Sequence, residues 1–354
     1  MRIEDVDQNF RAARAEGRDV VYADALRAPF AVEGFPWRAA GAPFRRLPAG
    51  LGEKETNPGV EKLAGHTAGG AIRFRSDSPV LALRVEFVDS YDMNNMPRSG
   101  SAGLDLYRGR GAAATHVATV QPARDQAVAE TLLVADGDGA AHDYLLNLPL
   151  YGSVGKLEIG VAPGAEIMPP TPHRVARPVL FYGSSITQGA CASRPGNAYA
   201  SLLCRAVDAE QVNLGFAGSA HGEITIARAI AALDLAAFVL DYDHNAPSAE
   251  FLEATHAPFF RAVRDARPEL PIVLLSRPDF WNGADCPRRR DVVRATYAAA
   301  RAAGDERVFF VDGETLFGRE HRDACSIDRC HPNDLGFYRM FQAVLPALQA
   351  ALGA

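Results

Sequence analysis

Two clusters in this chain have residue types and spacings suited to acyl-transfer chemistry. The first is Gly183-Ser184-Ser185, which closes the apolar run Val179-Leu180-Phe181-Tyr182. A hydroxyl held at the end of a buried strand can attack a carbonyl carbon once a base takes its proton. The second is Asp328-Arg329-Cys330-His331, followed by Pro332 and Asn333. An acid three residues before a histidine can orient the imidazole locally, leaving its other nitrogen to face a serine on another element. Each has a plainer reading. A serine after a strand is commonly a helix cap, and Asp and Asn are common where helices begin.

Two more stretches offer donors for a developing oxyanion. In Asn213-Leu214-Gly215-Phe216-Ala217-Gly218-Ser219, glycine lets the backbone N–H approach an oxyanion. Glycine is also ordinary in a turn between strand and helix. In Asp241-Tyr242-Asp243-His244-Asn245-Ala246-Pro247, Asn245 has an amide to donate, or is simply a turn residue before Pro247.

These residues need a frame. From about residue 178 the pattern alternates, with strands expected at 178–183, 211–216, 236–243, 271–276 and 308–312. Stretches 197–208, 222–233, 248–266 and 287–303 carry helical spacing. Residues 335–352 read as a closing amphipathic helix with Phe341, Val344, Leu345, Leu348 and Leu352 on one side. Such alternation implies a parallel sheet with helices on both faces. All four stretches follow expected strands and so share the carboxyl edge, where open α/β folds place their ligands. An α/β-hydrolase elbow has glycine two residues before and two after its serine. Thr187 occupies the later position, so that elbow is not matched.

The amino-terminal half reads differently. Residues 71–75 and 80–87 largely alternate apolar and polar, the mark of half-buried strands. Further strand candidates are 20–22, 104–108, 116–120, 129–134, 142–148 and 154–161. Many short strands with turn residues between them suggest an antiparallel sandwich. Ala162-Pro163-Gly164 and Pro169-Pro170-Thr171-Pro172 mark a stiff connector. The expected domains are 1–172 and 173–354.

Length and composition bound the function. The chain has 354 residues, of which 48% are hydrophobic and 23% charged, an ordinary soluble composition with room for two domains. A net charge of −6 argues against a nucleic-acid partner. Arg288-Arg289-Arg290 opens an expected helix and reads as a solvated face. No stretch approaches the ~20 apolar residues of a membrane span, so no membrane partner is expected. Residues 1–5 lack an apolar signal region, and five cysteines, an odd number, fit a reducing cytoplasm. Cys325 and Cys330 lack the tighter spacing and second pair of a zinc site, and read as free thiols.

The order Ser, Gly, Asn, then Asp-x-x-His resembles the SGNH hydrolases, also called the GDSL esterase/lipase superfamily, over residues 178–354. Gly183-Ser184-Ser185 matches the first block, Gly218 the second, Asn245 the third, and Asp328 with His331 the last. Gly103-Leu104-Asp105-Leu106-Tyr107 resembles the G-x-D-L-Y signature of a β-sandwich domain that precedes one branch of these enzymes. Phe44-Arg45-Arg46-Leu47-Pro48 and His331-Pro332-Asn333-Asp334-Leu335-Gly336-Phe337 resemble that branch as well. Two departures stand out: Ser184 replaces a frequent Asp, and the third block reads Asp243-His244-Asn245-Ala246 where Gly-x-Asn-Asp is usual.

The resemblance implies a flavodoxin-like, three-layer α/β/α hydrolase domain with a parallel sheet, behind a jelly-roll-like antiparallel sandwich. It implies Ser185 as nucleophile, His331 as base and Asp328 as its orienter. The Ser185 and Gly218 backbone N–H groups and the Asn245 amide would form the oxyanion hole. No metal or cofactor is needed. The expected reaction is hydrolysis of carboxylic esters through an acyl-enzyme, with a short acyl group, acetyl, on a carbohydrate as first choice. Rival readings are a carbohydrate-binding relative without catalysis and a thioesterase or other acyl hydrolase using the same triad. A homo-oligomer formed through the sandwich is compatible with either enzyme. His221 and His244 lie beside the oxyanion blocks, and Met93 and Asn94 sit in the loop 91–97 before G-x-D-L-Y. These four are expected to reach the substrate, against plainer readings as ordinary histidines and a hairpin loop.

Overall fold

The structure, a computed structural model, describes residues 17–278 and 283–353. Residues 1–5, on which the expectation of a cytoplasmic protein partly rests, lie outside them.

The amino-terminal half is built from strands β1 (Val21–Asp24), β2 (Ala31–Glu33), β3 (Ala71–Ser76), β4 (Leu81–Ser90), β5 (Leu104–Arg108), β6 (Thr115–Val120), β7 (Val128–Val134), β8 (His142–Asn147), β9 (Gly152–Val161) and β10 (Ile167–Met168). They form two antiparallel sheets, ordered β1-β9-β4-β7 and β10-β3-β8-β5-β6, with β2 also on β3. Ile72 and Phe74 of β3, Leu83 and Val85 of β4, and Leu104 and Leu106 of β5 are completely buried between the sheets. Their period-2 spacing is what makes each strand two-faced. The stretch after Phe44-Arg45-Arg46-Leu47-Pro48 also holds a short helix, α1 (Pro58–Ala64), which starts on a helix-compatible proline and is capped by Asn57 Oδ1, 3.0 Å from the Val60 N–H.

The carboxyl-terminal half begins with β11 (Val175–Gly183), seven residues after β10 and across the proline-rich stretch. It continues with β12 (Ala209–Gly215), β13 (Ala237–Asp241), β14 (Ile272–Leu275) and β15 (Val308–Val311), all parallel and ordered β12-β11-β13-β14-β15. This is the flavodoxin-like order, whose ligand crevice lies between the first and third strands at their carboxyl ends. Along β11, Val179 and Phe181 face one layer while Leu180 and Tyr182 face the other. A strand buried on both faces needs the continuous apolar run seen in the sequence.

Helices flank the sheet in two layers. With α2 (Arg98–Ser101) in the sandwich half, the carboxyl-terminal half contributes α3 (Ser185–Gln188), α4 (Tyr199–Val207), α5 (Ile224–Ala231), α6 (Ala249–Ala266), α7 (Cys286–Ala302) and α8 (Asp334–Leu352). Leu203 of α4 and Phe337, Val344 and Leu348 of α8 cover one face; Ile226, Ile230, Leu252, Phe259 and Val293 cover the other. Among the described residues no helix is long and apolar enough to cross a membrane.

Buried polar contacts join the halves. Asp105 of the Gly-x-Asp-Leu-Tyr stretch is fully buried and accepts from Arg194 Nη1 at 2.8 Å and the Gly196 N–H at 3.0 Å. Arg46, also fully buried, donates to the carbonyls of Asn213 at 3.0 Å and Gly215 at 2.7 Å. His173 in the connector lies between Glu33 Oε2, at 3.0 Å, and Asp208 Oδ1, at 2.9 Å. A buried charge is costly unless it is paired or hydrogen-bonded, so these contacts fix how the halves meet.

Candidate active site

Strand β11 ends at Gly183, in register with Gly215 of β12 and Asp241 of β13. A Cβ on residue 183 would run into the Asp241 carbonyl, so only glycine lets the strands close here. Ser184 then takes extended backbone and its Oγ accepts from the Ile186 N–H at 3.1 Å. The capping role therefore belongs to Ser184, and Ser185 is the first residue of α3. Thr187, where an α/β-hydrolase elbow has its second glycine, is buried and donates to Asp241 Oδ2 at 3.0 Å. The Tyr199 hydroxyl donates to the same oxygen at 2.6 Å. Burial pushes the Asp241 carboxyl up to about 7. The turn that carries Ser185 is thus pinned from beneath by a side chain glycine could not supply.

The histidine arrives on a tight turn. Ser326 pairs with Pro332, the Ile327 N–H donates to the His331 carbonyl at 3.1 Å, and Arg329 has φ 68. Asp328 Oδ1 accepts the backbone N–H groups of Cys330 at 3.1 Å and His331 at 2.7 Å. Its Oδ2 lies 2.7 Å from His331 Nδ1, and His331 Nε2 lies 2.9 Å from Ser185 Oγ. With Asp328 ionised, Nδ1 carries the proton and Nε2 is free to accept one from the serine. Asn333 caps α8 through the Gly336 N–H at 3.1 Å, and Asp334 accepts the Ser193 N–H at 2.8 Å.

Charge follows this geometry. Burial alone would raise the Asp328 carboxyl, but bonds from the His331 backbone and ring and from Asn95 bring it down to about 2. His331 is held above the ordinary imidazole range by its contact with Cys330 and by Asp328, against burial. Burial works against the Cys330 thiolate too, yet His244 and His331 bring that thiol down to about 6. Asp328, Cys330 and His331 present ligand atoms within 4.8 Å of one another, close enough for a metal ion. Both imidazole nitrogens, however, are already engaged by Asp328 and Ser185.

The second and third blocks lie against each other. Gly218 has φ 63, a left-handed conformation that favours glycine. Asn245 donates one amide hydrogen to the Phe216 carbonyl at 2.8 Å, which ties the two loops together and leaves the other hydrogen. Arg46 stacks on the Phe216 ring, 4.7 Å from its centroid. The expectation of a solvated arginine face fails at Arg289. That side chain is buried and donates to the carbonyls of Asp243, at 2.9 Å, and Ala246, at 2.7 Å. It clamps the loop bearing Asn245, while Arg288 stays exposed beside Glu250 and Glu253.

The expected substrate contacts separate. His244 Nε2 lies 3.6 Å from Cys330 Sγ and 3.3 Å from Arg277 Nη2, so it borders His331 through Cys330. His221 instead packs edge-on against Phe251, 6.0 Å between centroids, and its N–H meets Glu223 at 3.2 Å. Met93 pairs with Met96 and packs against the core of the carboxyl-terminal half. The loop does reach Asp328, but through the neighbour of Asn94: Asn95 Nδ2 donates to Asp328 Oδ2 at 2.9 Å. Asn95, Arg46, Arg289 and Cys330 are the site's unanticipated members.

Both halves of the chain are similar to known proteins. Residues 176–349 match the model of the GDSL-like lipase/acylhydrolase family. Residues 20–167 match the GxDLY model, the amino terminus of SGNH-hydrolase-type esterases. A GDSL-like lipase from Bacteroides ovatus ATCC 8483 is 30% identical with a TM-score of 0.83, the alignment covering 95% of this chain and 98% of that one. A salicylyl-acyltransferase from a tetracycline biosynthetic pathway is 24% identical with a TM-score of 0.76, over 95% of this chain and 98% of that one. An acetyl xylan esterase from the rumen bacterium Butyrivibrio proteoclasticus shares the fold at 12% identity and a TM-score of 0.62, over 94% of this chain and 99% of that one. No curated protein matches the sequence.

Proposed function

The chain belongs to the GDSL-like lipase/acylhydrolase family and hydrolyses ester bonds, and from that premise we propose that Ser185, His331 and Asp328 are its catalytic triad. The observation that carries this reading is the unbroken line from Ser185 Oγ through His331 to Asp328, with contacts of 2.9 and 2.7 Å. Ser185 Oγ attacks the ester carbonyl while His331 Nε2 takes its proton. The carbonyl oxygen becomes an oxyanion, held by the Ser185 and Gly218 N–H groups and the free amide hydrogen of Asn245. Its collapse breaks the bond to the alkoxy oxygen, which leaves with the proton from His331. Water then gives a proton to His331 and attacks the acyl-enzyme, and collapse returns that proton to Ser185 Oγ.

One oxyanion donor is typically worth a factor of roughly 10² to 10³ in kcat. Asn245→Ala is therefore expected to lower kcat by about that much with KM little changed, as steady-state kinetics would read. An unchanged kcat would remove Asn245 from the oxyanion hole.

The substrate we infer is a short acyl ester, acetyl, on a carbohydrate. The fold shared with an acetyl xylan esterase supports the sugar, and the sandwich half, packed against the triad, supports a site closed on one side. Assays with p-nitrophenyl acetate, butyrate and octanoate, alongside acetylated xylan, test it. Acetate should be preferred over octanoate, with acetate released from the xylan. Preference for octanoate would overturn the short-acyl assignment.

A further inference from the structure

The carboxylate of Asp328 has four donors. On Oδ1 are the backbone N–H groups of Cys330 and His331; on Oδ2 are His331 Nδ1 and Asn95 Nδ2. Three come from its own turn. The fourth crosses from the sandwich half, 233 residues away in sequence. The geometry points to Asn95 as a positioning residue of the triad, so that the amino-terminal half completes the catalytic acid of the other. This rests on the triad reading above.

Delivery of Asn95 is built into the docking of the halves. Met93 and Met96 pinch the loop around it, and Met96 is buried in the core of the carboxyl-terminal half. On one side Ser101 Oγ donates to the Tyr91 carbonyl at 3.1 Å, and Arg98 and Arg124 both pair with Asp92. On the other, Ser99 Oγ donates to the Ser193 carbonyl at 2.7 Å, and Ser193 binds Asp334, three residues past His331. One docked segment thus touches Asp328 directly and reaches the far flank of its turn through Ser193.

The amide matters because the Asp328 side chain is one-third exposed, at 33%. Water competes for the lone pairs of an exposed carboxylate, and a fixed donor takes the site it would occupy. The donor also shares the carboxylate's charge and so moderates its hold on the imidazolium. The other groups facing the imidazole are Ser185 from α3 and Cys330 from its own turn, with His244 and Arg277 behind the thiol.

Full-length Asn95→Ala should lose about tenfold in kcat, the scale of one hydrogen bond to a charged group, with KM and Tm near wild type. The acid limb of its pH profile should move to higher pH, because a less shared carboxylate holds the protonated imidazole more tightly. Asn95→Asp, of the same shape, removes the donor and sets a second carboxylate beside the first; its loss and its limb shift should be larger. Placed in an Asp328→Ala background, Asn95→Ala should cost nothing further, since the partner is gone. Wild-type kcat and limb in Asn95→Ala, or losses that multiply in the double variant, would overturn the assignment. So would a drop in kcat and Tm together with the limb unmoved, which marks loop packing alone. If Asp328→Ala itself keeps full activity, the triad reading fails first, and separately.

Discussion

Ser185→Ala is expected to lower kcat/KM on p-nitrophenyl acetate by a factor of about 10⁴ or more, the scale seen when a serine nucleophile is removed. The fold should survive. Ser185 is the first residue of a helix capped by its neighbour, and only its hydroxyl is lost. Alanine is well accepted in helices. The Thr187–Asp241–Tyr199 bonds beneath the turn do not involve Ser185 and stay in place. A dead enzyme with wild-type Tm would therefore report on chemistry alone. Ser184→Ala is the matching control. It removes the cap and should cost about 1 kcal/mol of stability, with a far smaller loss of rate. The two adjacent serines separate by opposite signatures.

Asp328→Asn should cost about 10⁴ in kcat, through the tautomer. An asparagine placed with its amide nitrogen toward His331 Nδ1 offers that atom a donor. The imidazole proton then moves to Nε2, the atom that must accept the Ser185 proton. The backbone N–H groups of Cys330 and His331 favour this orientation, since both donate to the Oδ1 position and hold the asparagine oxygen there. The pH profile supplies a second reading with a definite sign. His331 must be neutral to act as base, and Asp328 contributes to holding its pKa above the ordinary imidazole value. Wild-type activity should thus fall as pH drops through a point above about 6.5. Without the aspartate charge the imidazolium loses a partner, so the residual activity of Asp328→Asn should persist to lower pH. A limb that stays fixed would contradict the role assigned to Asp328.

The architecture of the carboxyl-terminal half was legible because its strands are buried on both sides. Val179-Leu180-Phe181-Tyr182 has no polar interruption, and the alternation of such runs with helical spacing leaves few topologies open. The residues proposed as the triad stand out in the sequence for a related reason, since each follows a strand or precedes a helix whose position is set by that alternation. What escaped lies where no periodicity operates. Strands β2 and β10, of three and two residues, are too short to display a period. Asn95 rather than Asn94 touches Asp328 because a loop's register is set by its anchors, here Met93, Met96 and Asp92, and not by spacing. Arg289 reads as one of three surface arginines, and only tertiary packing reveals the carbonyls of Asp243 and Ala246 in front of it. Arg46 lay within a stretch noted for its resemblance, but its role depends on β12 ending beside it.

Covalent labelling with a serine-directed phosphonate, followed by peptide mass mapping, tests the central claim most directly. The activated hydroxyl displaces the reagent's leaving group from phosphorus, and the reaction stops at a stable tetrahedral adduct that mimics the tetrahedral intermediate. One adduct is expected, on Ser185, lost in Ser185→Ala and strongly slowed in His331→Ala. An adduct on Ser184 or elsewhere, or labelling of Ser185 that proceeds unchanged without His331, would contradict it.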